Sequence, residues 1–67
     1  MAITLKAARV NKGLTQKEAA KLIGVSAPSL ANYEKGKSFP NVPTLKKIEE
    51  VYGVSYADVI FLPDSTI

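Results

Sequence analysis

Apolar residues in this chain recur three and four positions apart, the spacing of a helix with one buried side. Leu5 and Ala8 share a face, with Arg9 about 40° from Leu5 and so beside them. A first helix is read from Thr4 to Lys12, closing at Gly13. Ala19, Ala20 and Ile23 fall on one side of a second, from Gln16 to Ile23. Leu22 stands about 100° from Ile23 and is expected to be partly exposed. In a third helix Leu30 and Tyr33 face inward, with Val25 plugging the corner beneath them. Pro28, Asn32 and Lys35 lie opposite, with Ser29 and Ala31 on the flanks. Leu45, Ile48 and Tyr52 stripe a fourth helix from Val42 to Tyr52. Val54, Val59 and Leu62 complete the core, and Phe39 anchors the connection Ser38-Phe39-Pro40 to it.

The polar and special residues between these runs set the ends. Thr15 and Glu18 have the spacing of a capping box, each side chain serving the other residue's backbone N–H. Gly24 ends the second helix in the left-handed shape that glycine takes freely. Ser26 caps the third, and Pro28 sits in its first turn, where a missing N–H costs nothing. Gly36 stops it, Asn41 caps the fourth helix and Gly53 ends it. Ser55 and Asp58 repeat the capping-box spacing, which predicts a short fifth helix to about Phe61, closed by Pro63. No stretch alternates with a strand's period and no segment repeats. The pattern therefore predicts an all-α, compact five-helix bundle, a single domain over residues 1–67 with a polar, flexible tail from Asp64 to Ile67. Two helices of about eight residues around the corner Gly24-Val25-Ser26 make a helix-turn-helix.

Composition narrows the chemistry. A 67-residue chain buries about 60% of its unfolded surface, so caps and packing decide whether it holds together. With no cysteine and no histidine, disulfides, thiol catalysis and the usual zinc ligands drop out; a reducing, cytoplasmic setting is expected. No apolar run approaches the ~18 residues of a membrane span, and Met1-Ala2-Ile3-Thr4 is too short for a signal peptide. The carboxylates are scattered and no glycine-rich phosphate loop is present, so no enzyme activity, catalytic residue, metal, cofactor or small-molecule substrate is expected. The net charge of +3 is uneven: residues 1–38 carry +5 and residues 39–67 carry −2. The positive half holds the helix pair, as a polyanionic partner requires, although a solvated basic surface has the same charge.

Two opposite charges fall on core-facing positions of separate helices. Arg9 lies beside Leu5, and Glu34 about 40° from Leu30. A buried charge without a partner costs several kcal/mol, so these two are expected to form a partly buried, bidentate salt bridge. Glu49 also faces inward and has no evident partner; a shallow place at the rim of the core is expected.

Taken together, Ala8-Arg9, Gly13-Leu14-Thr15-Gln16, Ala20, Ile23-Gly24-Val25-Ser26, Leu30, Tyr33-Glu34-Lys35-Gly36, Leu45, Gly53-Val54-Ser55 and Val59 resemble the Cro/repressor-type helix-turn-helix family. These are the small, lambda-repressor-like DNA-binding domains of phage repressors and bacterial regulators. The resemblance covers about Leu5 to Leu62. It implies that the third helix enters the major groove and reads base edges while its neighbour crosses the backbone. Carried over by position, the base-reading residues are Ala27, Pro28, Ser29 and Asn32. Asn32 is able to make two hydrogen bonds to adenine, Ser29 discriminates poorly, and Ala27 and Pro28 offer apolar surface to a thymine methyl. These short side chains depart from family members with long polar ones, which shifts weight onto DNA shape. The implied phosphate contacts are Gln16, which also braces the recognition helix, with Ser26, Lys35, Lys37 and Asn41. Pro43 removes one backbone donor beside Asn41.

The function expected from the resemblance is a sequence-specific transcriptional regulator, repressor or Cro-like, binding a palindromic operator in duplex DNA as a homodimer. Ile60, Phe61, Leu62 and the Phe39–Val42 connection are either its dimer surface or part of the core. The alternative is a protein-binding or antitoxin-like module on the same fold.

Overall fold

The computed structural model describes residues 2–60, with the side chain of Ile60 excepted. In chain order the elements are β1 (Ile3–Thr4), α1 (Leu5–Asn11), α2 (Gln16–Ile23), α3 (Ala27–Lys35), α4 (Val42–Tyr52), a single 3-10 turn (Tyr56–Asp58) and β2 (Val59–Ile60). Each α-helix begins on a side chain that takes up a free N–H: Thr4, Thr15, Ser26 and Asn41 accept from Ala7, Glu18, Ser29 and Thr44 respectively. At Thr15 the box is complete, because Glu18 Oε1 accepts from the Thr15 N–H at 2.9 Å. Gly24 closes α2 at φ 92°, its N–H donating to the Ala20 carbonyl at 2.8 Å.

The core is assembled from one face of each helix. Leu5, Ala8, Ala19, Ala20, Ile23, Leu30, Ile48 and Tyr52 are buried, and Val25, Tyr33, Val54 and Val59 pack partly buried against them. The alanines of α2 are small enough for α3 and α4 both to lie close on it. Leu22 is 53% exposed, out on the flank of α2.

Several expectations need correction. There are four α-helices among the described residues, not five, because after Ser55 the chain makes one 3-10 turn and then extends at Val59 (φ −86°, ψ 130°). The Ser55 hydroxyl accepts from Ala57, two residues on, rather than from the Asp58 N–H, which donates to the Ser55 carbonyl at 2.9 Å. What ends the turn is a tertiary partner: Val59 and Ile60 pair in parallel with Ile3 and Thr4, so the fold is not purely helical. Two-residue strands leave no period to detect in the sequence. The first helix is correspondingly shorter than Thr4 to Lys12, since Thr4 belongs to β1 and caps α1, and Lys12 lies beyond its last residue. Phe39 is not buried in the core; it is 62% exposed. Leu45 is half-buried, at the edge of the stripe that Ile48 and Tyr52 fill. Phe61, Leu62, Pro63 and the tail from Asp64 lie outside the described residues. No helix among the described residues is long and apolar enough to cross a membrane.

Candidate nucleic-acid interface

The site is the outward side of α3, and its position follows from what holds the inward side. Leu30 is fully buried against α2, and Glu34 lies one turn further along the same face. Arg9 of α1 reaches that carboxylate through two N–H groups. Its Nε donates to Glu34 Oε2 at 2.7 Å and its Nη2 to Glu34 Oε1 at 3.3 Å. The remaining arm, Nη1, donates to the Leu14 carbonyl at 2.8 Å and so pins the turn between α1 and α2. A guanidinium matches a carboxylate in this two-point way, which fixes orientation as well as distance. The hydrogen bond to Glu34 holds Arg9 more firmly protonated than usual, against the opposing effect of burial.

Gln16 joins the same carboxylate. Its Nε2 donates to Glu34 Oε1 at 2.9 Å, so the first residue of α2 is tied directly to the end of α3. One buried carboxylate therefore gathers α1, α2 and α3, and the angle of the outward face is set by three side chains rather than by the corner alone. The involvement of Gln16 in this cluster is invisible to helix periodicity, because Gln16 is half-buried at a helix start.

On the outward side, Pro28, Asn32 and Lys35 are exposed, and Ala27 and Ser29 are half-buried at the flank. The Ser26 hydroxyl accepts from Ser29 N–H at 3.2 Å and donates to Ser29 Oγ at 2.8 Å. Ser26 is thus committed to its own helix start, while the Ser29 hydroxyl keeps its proton to donate elsewhere. Lys37 is exposed just past Gly36. Among the described residues no hydrogen bond or ion pair engages the side chains of Asn32, Lys35 or Lys37.

Asn41 stands at the start of α4. Its Oδ1 accepts from Thr44 N–H at 3.0 Å, leaving its amide nitrogen as a donor. With Thr44 engaged and Pro43 lacking an N–H, the backbone there offers an anion at most the Val42 N–H. Glu49, for which no partner was evident, has one: its Oε2 accepts the Tyr56 N–H at 2.6 Å and so starts the 3-10 turn. That contact spans seven residues and the helix end, which no local spacing rule covers.

A family model described as helix-turn-helix matches residues 5–59, from Leu5 through the Val59 of β2. The chain belongs to that family. Its relatives include phage-type regulators, in keeping with the Cro/repressor resemblance. It is 43% identical over 51 residues to the HTH-type transcriptional regulator ImmR of Bacillus subtilis, covering 76% of this chain and 40% of that protein. It is 38% identical over 52 residues to the cryptic phage CTXphi transcriptional repressor RstR of Vibrio cholerae, covering 78% of this chain and 47% of that protein. A third relative, the antitoxin PezA of Streptococcus pneumoniae, is 36% identical over 56 residues, which are 84% of this chain and 35% of that one. The chain thus spans less than half the length of each of these relatives.

Proposed function

We propose that this chain binds duplex DNA by laying α3 in the major groove, and that it regulates transcription there, as a repressor or Cro-like protein in a bacterial or phage-infected cytoplasm. The observation that carries the reading is the contrast across α3. The carboxylate on its inner side is held by two helices, while the exposed side chains of Asn32, Lys35 and Lys37 have no hydrogen-bond or ion-pair partner among the described residues. Asn32 reads a base edge and Ser29 donates a less selective hydrogen bond. Ala27 and Pro28 lie against thymine methyl groups. Gln16, Lys35, Lys37 and Asn41 contact phosphates on either side, with Ser26 at the margin. One such helix covers little DNA, so a homodimer on a palindrome is the natural assembly, its recognition helices about 34 Å apart.

Selection of random duplex DNA by the purified chain tests this. A recovered palindrome with half-sites one helical turn apart supports every part of the reading; a single half-site removes the dimer. The similarity to an antitoxin favours a second reading, a domain whose main partner is a protein. Salt separates the two. DNA affinity falls steeply with salt because phosphate contacts release counterions, and no DNA binding even at low salt would leave the protein partner.

A further inference from the structure

The first turn of α3 holds two hydroxyls in contact. Ser26 Oγ donates to Ser29 Oγ at 2.8 Å, and the same oxygen accepts the Ser29 N–H at 3.2 Å. Ser26 is exposed at the cap, and Ser29 is half-buried at the flank of the outward face. No other hydrogen bond engages Ser29 Oγ among the described residues.

A serine alone discriminates poorly, because its hydroxyl turns a proton or a lone pair to a base with equal ease. A second hydroxyl in contact changes that. Each of the two brings one proton, and the bond between them uses one, so the pair has a single proton left to give. As the two are arranged, that proton belongs to Ser29, on the side of α3 turned away from the core. In water it is solvated wherever it points. In a groove closed by DNA it needs an acceptor, because a hydroxyl stripped of water and left unpaired costs more than one hydrogen bond gains. Guanine and thymine present acceptors in the major groove, cytosine presents an amino donor, and adenine presents both. Facing cytosine, Ser29 would accept, and its own proton would be stranded. Reversing the inner bond only moves the stranded proton to Ser26.

We infer that Ser26 and Ser29 read one base as a unit: Ser26 fixes Ser29 as a donor, so guanine or thymine is taken at that position and cytosine is refused. Ser26 is a positioning residue here, acting on the base through Ser29. The base preference rests on the proposed docking of α3 in the major groove; the control of one hydroxyl by the other does not.

Ser26→Asp tests the unit, because a carboxylate keeps the cap but has no proton to donate. A charged acceptor also holds the Ser29 proton more strongly than a neutral base does. Ser29 then meets DNA as an acceptor. Ser26→Thr keeps the hydroxyl and should read as the parent does. Random duplex DNA is selected by the purified parent and by both variants, with Ser29→Ala marking the position that Ser29 reads. There the parent favours guanine or thymine over cytosine about fivefold, the size of one net hydrogen bond, and Ser26→Asp reverses the order. The added charge weakens binding to every sequence alike, so it leaves the relative preference untouched. A Ser26 that only caps the helix would leave the preference unchanged in Ser26→Asp, and that result overturns the inference. Cytosine at this position in the parent overturns it too, as does a Ser29→Ala variant that alters no position.

A titration without DNA isolates the hydroxyl pair. The carboxyl introduced by Ser26→Asp, followed by 13C NMR, titrates at lower pH with Ser29 in place than with Ser29→Ala added, because a donated hydrogen bond favours the charged form. Equal midpoints overturn the control of Ser29 by position 26, whether or not DNA binds. Unequal midpoints without DNA binding at low salt count against the functional reading, and the base preference falls with it.

Discussion

On its inward side α3 carries Leu30, sealed against α2, and Glu34, held by Arg9 and Gln16. On its outward side it carries Pro28 and Asn32, which are exposed and lie outside the core cluster. The two sides are separated by half a turn of one nine-residue helix, yet they answer to different free energies. Inward positions are decided by the folding equilibrium, because any change there leaves a void or an unpaired charge. Outward positions are free of that constraint, and what they hold is fixed by what docks on them. A mutation on the first side should therefore be read by denaturation, and one on the second by binding.

The sharpest break of this division is Glu34→Ala, which leaves Arg9 buried beside apolar neighbours and Gln16 without its acceptor. It should cost on the order of 3–5 kcal/mol, enough to leave so small a domain largely unfolded. Chemical denaturation of the purified variant measures it, and an unchanged midpoint would mean that the pair does not hold α3 in place. Leu30→Ala follows at about 2–5 kcal/mol by the same measurement. Asn32→Ala should leave the denaturation midpoint within about 0.5 kcal/mol of the parent, and relax preference at one base position by about 1–3 kcal/mol. Lys37→Ala is the companion control: it weakens all sequences alike and reduces the salt slope by about one. Were these two to behave identically in a competition titration, the sorting of base and phosphate contacts would fail.

Two smaller effects concern the helix ends. Gly24→Ala finds open space for its Cβ, so its cost of about 1 kcal/mol comes from the positive φ alone. Gly53→Ala has the same φ penalty and meets Lys12 Nζ at 3.2 Å as well, a soft neighbour that is able to move aside. The smallest effect is on pH. Hydrogen bonds from Thr15 hold the Glu18 carboxylate below its ordinary pKa of 4.5. A lowered folded-state pKa means the capping box contributes fully above the ordinary value, and that contribution fades as pH falls through the lower one. Glu18→Gln keeps the hydrogen-bonding pattern without the titration, so an acid-unfolding profile of that variant should be slightly flatter.

The inward side of α3 was legible from the sequence because its signals are local. Leu30 and Glu34 fall on the face that helical geometry turns inward, and Thr15, Ser26, Gly24 and Gly36 mark the ends with residue types few other positions want. The outward side was legible as a surface, but its chemistry came from resemblance, since exposure by itself says nothing of the partner. One contact between distant positions, Arg9 with Glu34, was also expected, because two buried opposite charges demand each other; those without such a demand escaped. Glu49 with Tyr56 N–H and β1 with β2 each depend on where the whole chain has already gone, whereas the brace from Gln16 to α3 came from the resemblance and Glu34 as its acceptor came from the structure. Phe39 misled for a related reason: a lone aromatic in a connection has the composition of a core residue whether or not the fold buries it.

The pairing of Ile3–Thr4 with Val59–Ile60 has a kinetic meaning. It joins positions more than about fifty residues apart through two residues on each side, so its closure entropy is large and its reward small. Such a latch should form late and open early, while the helices between it stay assembled. Among the described helices and strands it should be the first to take up deuterium in amide exchange, with the buried centre of α2 among the last.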